Sequence, residues 1–139
     1  MADTFEITYT DWSIDVGDYK YEGITLNEVE QNLYAIEDQE QDFVVISPSK
    51  AIPIDYKMYN FVQVCSDQDT DLLHIELSVT NDGEQGAIIY GKNELGHQEA
   101  LQIIEDFIVH HKVPVLDEWD IVLDLRPKME NYVKGAEND

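Results

Sequence analysis

Leu72-Leu73-His74-Ile75-Glu76-Leu77-Ser78-Val79 alternates apolar and polar side chains: Leu73, Ile75, Leu77 and Val79 point one way from an extended backbone, and His74, Glu76 and Ser78 point the other. A period of two belongs to a strand, and the alternation gives it one core-directed face and one wet face. Upstream, Tyr59 to Cys65 reads as a partner strand joined to it by Ser66-Asp67-Gln68-Asp69-Thr70-Asp71. Downstream, Asn81-Asp82-Gly83 supplies residues that tolerate positive φ, and Ala87 to Tyr90 returns as a further strand. The three form an antiparallel meander.

Further out, Phe43-Val44-Val45-Ile46 is short, wholly apolar and rich in β-branched residues, which predicts a central strand covered on both faces and stopped by Ser47-Pro48. Near the start, Phe5, Ile7 and Tyr9 alternate, and Trp12, Ile14 and Val16 alternate in the opposite phase. That change of phase fits either a hairpin turning near Thr10-Asp11 or one strand carrying a bulge. Trp119, Ile121, Leu123 and Leu125 predict an edge strand near the other terminus.

Two segments carry the helical period instead. Leu26, Val29, Leu33 and Ile36 recur at spacings of three and four, and Thr25 with Glu28 forms a capping box ahead of them. From about Leu95 to His111, the residues Ala100, Leu101, Ile104, Phe107 and Ile108 make an apolar stripe. His110, His111 and Lys112 suit the negative end of that helix, and Pro114 forbids its continuation. The expected architecture is α+β: a mostly antiparallel sheet of about five to six strands packed against two helices. Residues 1–125 form the expected single domain and 126–139 a polar tail.

Charge bounds the partner class. Thirty acidic residues stand against eight basic ones, a formal net charge of −22, with 43% of residues apolar and 10% aromatic. The apolar share supports folding rather than disorder. A field of this sign repels nucleic acid and anionic membrane, favours a basic protein partner and opposes self-association, so a monomer is expected. Neither a basic leader nor an apolar span of about 18 residues is visible, and a cytoplasmic location is expected. Cys65 is the only cysteine and sits among apolar neighbours, where a buried, unreactive thiol is expected.

Catalytic constellations are missing from the sequence: it has no phosphate loop, dinucleotide fingerprint, nucleophile elbow or paired-cysteine metal pattern. No cofactor and no enzymatic activity are expected. His74 is expected to pair on the surface with Glu76 or a neighbouring strand, and His97 to face solvent near a helix start. Asp67-x-Asp69-x-Asp71 resembles the opening of a calcium loop, but Leu72 stands where glycine is needed and Ser78 where the bidentate glutamate belongs. A solvated loop or acidic recognition patch is the better reading.

Partner binding is therefore assigned to acidic loops and nearby aromatics. Glu37, Asp38, Glu40 and Asp42 follow the first helix, Asp67, Asp69 and Asp71 occupy the hairpin loop, and Tyr56 and Tyr59 are possible aromatic anchors.

The layout from Thr25 to Trp119 resembles small immunity proteins of bacterial polymorphic-toxin and contact-dependent growth-inhibition systems. Its landmarks are the helix with Leu26-x-x-Val29, strands with Phe43-Val44-Val45-Ile46, Phe61-Val62-Gln63 and His74-Ile75-Glu76, a long helix, and Glu118-Trp119. The resemblance implies an antidote that covers the active site or substrate-binding surface of a delivered toxin domain. The acidity, read independently, suits a basic toxin such as a nuclease. A DNA mimic that inhibits DNA-binding enzymes and an acidic secretion chaperone are the alternative readings.

Overall fold

The computed structural model describes residues 6–67, 70 and 72–127. The elements run β1 (Tyr9–Asp15), β2 (Lys20–Ile24), α1 (Leu26–Glu37), β3 (Phe43–Pro48), β4 (Ile52–Ile54), β5 (Lys57–Ser66), β6 (Leu73–Asn81), β7 (Ile88–Leu95), α2 (His97–His110) and β8 (Asp120–Asp124). All eight strands belong to one open antiparallel sheet in the order β2-β1-β3-β5-β6-β7-β8, and β4 pairs with β5 beside the end of β3. The α+β class is as expected, with more strands than the sequence predicts.

β1 resolves the phase change in favour of the bulge: its register against β2 shifts between Tyr9 and Ser13. Tyr9, ahead of the shift, packs against the same core that buries Trp12 and Ile14 behind it. Two strands escaped sequence reading. β2 carries Lys20, Glu22 and Gly23 at a sheet edge, which hides its period, and β4 is three residues long around Pro53.

Both helices lie on the same face of the sheet. Thr25 Oγ1 accepts from Glu28 N at 3.1 Å, while Glu28 Oε1 accepts from Thr25 N at 3.0 Å, so the predicted capping box is present. Leu26, Val29, Leu33 and Ile36 turn inward from α1, and Ala100, Leu101, Ile104, Phe107 and Ile108 from α2. They meet Trp12, Ile14, Val44, Ile46, Val62, Val64, Ile75 and Leu77 from the sheet. Phe107 anchors this core, edge-on to Trp12 with ring centroids 5.1 Å apart and to Tyr59 at 6.3 Å. Such aromatic pairs contribute about 0.5–1.5 kcal/mol beyond area burial.

With both helices on one side, β3 is not covered on both faces. Val44 and Ile46 are buried, whereas Phe43 and Val45 point to the other face and stay partly exposed. Cys65 shares that outer face and is likewise only partly buried. At the far end, Arg126 pairs with Asp124 at 2.8 Å and with Glu84 at 3.3 Å, and residues 128–139 of the expected polar tail lie outside the described ones.

Candidate partner-binding surface

α1 ends in the wrong charge for its own stability. Glu37 is its last residue, no basic side chain occupies its last turn, and Asp38, Glu40 and Asp42 follow, all exposed. A helix C-terminus already carries about half a negative charge, and each acid there costs about 0.3–1 kcal/mol. Gln39, at φ 62°, turns the chain away from the axis and keeps these carboxylates beside the helix end.

The β1–β2 turn brings a further acid to the same place. Val16 N donates to Tyr19 O at 3.1 Å, and Gly17 N donates to Asp15 Oδ1 at 2.9 Å, which closes the turn and exposes Asp18. Asp18, Tyr19, Glu40, Asp42 and Phe43 line one depression of about 430 Å³. Tyr19 is 60% exposed and stacks on Tyr21 at 5.9 Å, so it presents a rigid ring beside three carboxylates. Asp18 and Tyr19 lie about twenty residues from Glu40 and Asp42 in the chain, and only the β1–β3 pairing brings them together.

The remaining predicted site residues separate. Glu37 reaches the acidic end but is engaged by His97. Asp67 does not project into solvent: it is 7% exposed, its Oδ2 accepts from Glu94 N at 3.0 Å, and its backbone N–H donates to Leu72 O at 2.9 Å. It therefore ties the β5–β6 loop to β7, where Glu94 takes a positive φ of 61°. A steering role for Asp67 gives way to a structural one. Asp69 and Asp71 lie outside the described residues, and the calcium-loop question falls there with them.

Tyr59 is a core residue, 4% exposed against Phe107, and cannot serve as a surface anchor. Tyr56 is the opposite case, 87% exposed at the tip of the β4–β5 hairpin. Asp55 and Tyr56, at φ 49° and 65°, form the two-residue loop between Ile54 and Lys57, positions that favour asparagine and glycine. The ten residues of β5 separate this tip from the β5–β6 loop, a span of about 30 Å. Tyr56 and the acidic end are thus two distinct places.

Histidine positions complete the picture. His74 Nε2 lies 2.9 Å from Glu76 Oε2, as its alternation predicts. His97 does not face solvent: it stands between Glu30 and Glu37 and closes α2 onto α1. His111 caps α2 in the left-handed conformation, φ 51°. Burial, and then the charges of Glu76 and Asp67, push the Cys65 thiol up, away from the reactive thiolate. Among the described residues, no three His, Cys, Asp or Glu side chains converge as metal ligands, and no helix is long and apolar enough to cross a membrane.

These features define an open antiparallel α+β sheet with one acidic, aromatic-flanked end. No family model, curated protein or solved structure matches the chain.

Proposed function

We propose that this chain is a binding protein that neutralises a basic toxin domain, of nuclease type, by covering its active site or substrate-binding surface. The observation that carries this reading is the placement of Asp38, Glu40 and Asp42 at the negative end of α1, joined by Asp18 from another hairpin. Acids there oppose helix stability, so their return is a concentrated negative potential. Such a potential draws in a cationic surface and speeds its docking, while the net charge of −22 rejects anionic competitors. Tyr19 adds a ring that becomes buried at low entropy cost once contact is made.

A nuclease is the apt target because its substrate groove is already built to hold phosphate oxygens. Carboxylates at the acidic end occupy that groove as charge substitutes. The work is recognition, and the chain needs no cofactor for it.

The test is capture of partners by the tagged chain from lysate of its own organism at low and moderate salt. One basic protein held in stoichiometric amount at moderate salt supports the reading. Many nucleic-acid-binding proteins, released together as salt rises, contradict it and favour a DNA mimic.

A further inference from the structure

The two edges of this sheet are built differently. β2, at one edge, carries Lys20, Glu22 and Gly23, and its one fully apolar aliphatic, Ile24, is buried. Charges and glycine of this kind are the usual protection against unwanted strand pairing. β8, at the other edge, pairs only with β7 among the described strands and carries Ile121, Val122 and Leu123 in succession. They are 57%, 50% and 48% exposed, and Leu125 follows at 55%. Three of the large exposed hydrophobic side chains thus lie on this edge strand, and a fourth directly follows it.

β8 is held firmly despite that exposure. Leu125 N donates to Ala87 O at 2.8 Å, and Arg126 fastens Asp124 to Glu84. At Gly91, directly under the strand, an added Cβ would lie 2.6 Å from Val122 Cγ2 and 2.9 Å from the His74 ring. At Gly86, φ 81°, a Cβ would lie 2.5 Å from Leu125 O. Two glycines therefore give β8 the room to sit close against its neighbours. Trp119, buried just before it, anchors the strand's entry.

We infer that the outer edge of β8 is a strand-addition site whose occupant is an extended, lysine- or arginine-bearing segment of the protein partner. Charge selects that occupant. Asp117, Glu118 and Asp120 stand exposed at the entry to the apolar run, whereas Asp124 at its exit is already matched by Arg126. An added segment with apolar side chains against Ile121 to Leu123 and a cation beside Asp117 to Asp120 meets both features. A second copy of this chain fits badly, because it brings another −22 charge and a second set of the same acids. Backbone hydrogen bonds supply affinity in such pairing, and the flanking side chains supply choice.

The inference rests on reading the chain as a binder of a basic protein, but its test needs no toxin. The probe is a blocked heptapeptide alternating lysine with isoleucine, valine and phenylalanine, titrated into the full-length, isotope-labelled chain. Its control has the same charge, with prolines in place of the apolar residues so that it cannot pair. Amide shifts and slowed exchange confined to Asp120–Leu125, with the proline control about tenfold weaker, support strand addition. Leu123→Lys, on a strand position already open to solvent, weakens the peptide while the chain keeps its thermal transition. Equal binding of the proline control, responses at Asp18, Glu40 and Asp42 alone, or protection in the free chain of the outward-facing β8 amides, those not bonded to β7, would each overturn it. So would self-association lost in Leu123→Lys. Peptide pairing at β8 without any captured toxin would instead leave the strand site standing and remove the toxin assignment.

Discussion

His97 lies flat against Tyr34, ring centroids 4.3 Å apart and planes 17° from parallel. Its Nε2 stands 2.9 Å from Glu30 Oε2, and its Nδ1 faces Glu37. One ring from the start of α2 therefore bridges two carboxylates and an aromatic on α1. Both nitrogens face acceptors, so the pair of bonds is complete only when the imidazole is protonated. Partial burial alone lowers the His97 pKa, but the hydrogen bonds and charges of Glu30 and Glu37 outweigh it, and the net direction is upward from 6.5.

A raised folded pKa stabilises the folded state fully below the unfolded value of about 6.5 and loses that contribution as pH rises through the folded value. His97→Phe keeps the stacking and removes both donors. Urea unfolding at about pH 6 should show the variant about 1–3 kcal/mol less stable, and the gap should narrow by about pH 9. A gap independent of pH would mean that the ring acts through packing alone.

Thr25→Ala should cost about 0.5–2 kcal/mol by removing one half of the capping box. The last turn of α1 carries no basic side chain of its own, so the N-terminal cap is its main local electrostatic and hydrogen-bond support. Urea midpoints with an unchanged denaturant slope measure the loss.

Gly91→Ala should push Val122 and the His74 ring apart from β7, at a cost of about 1–3 kcal/mol for overpacking. The damage should concentrate in β8: hydrogen exchange at Ile121 to Leu123 should rise more than at β5 or β6. Uniform loosening across the sheet would argue against a local clash.

Tyr56→Gly should stabilise the β4–β5 hairpin by about 0.5–1 kcal/mol, since glycine adopts a positive φ without strain. If Tyr56 contacts the partner, the same change weakens binding, and the opposite signs in unfolding and affinity measurements would reveal it.

The two groups of acids predict two different phenotypes. Charge reversal at Asp18, Glu40 and Asp42 should slow association with the captured partner and flatten its salt dependence, with no loss of stability, since cations suit the end of α1. Asp67→Ala should leave the association rate nearly intact and lower stability by about 1–3 kcal/mol, because Glu94 N loses its acceptor. Stopped-flow mixing at two ionic strengths, paired with urea unfolding, separates the two effects.

Local signals made much of the fold legible. Thr25 and Glu28 marked a helix start within four residues, and Leu73 to Val79 fixed one face of β6 by alternation alone. β2 stayed hidden because an edge strand needs little apolar pattern, and β4 because three residues cannot show a period. Phe43 to Ile46 looked doubly covered because β-branched side chains also suit the centre of a one-sided sheet. The candidate site was read in part: Glu40 and Asp42 stand where loop composition put them. Asp18 and Tyr19 join them only through strand pairing, and nothing local in the composition of the β5–β6 loop marks Asp67 as buried. Tyr59 shows the same limit, since its burial depends on Phe107, far along the chain.

The measurement that bears most directly on the central claim is titration of the captured partner's toxic activity with the purified chain. The account predicts a linear loss of activity ending at one chain per toxin domain, and a weaker hold when Asp18, Glu40 and Asp42 are reversed. Full activity with the chain bound in excess, or equal inhibition of unrelated DNA-binding enzymes, would contradict it.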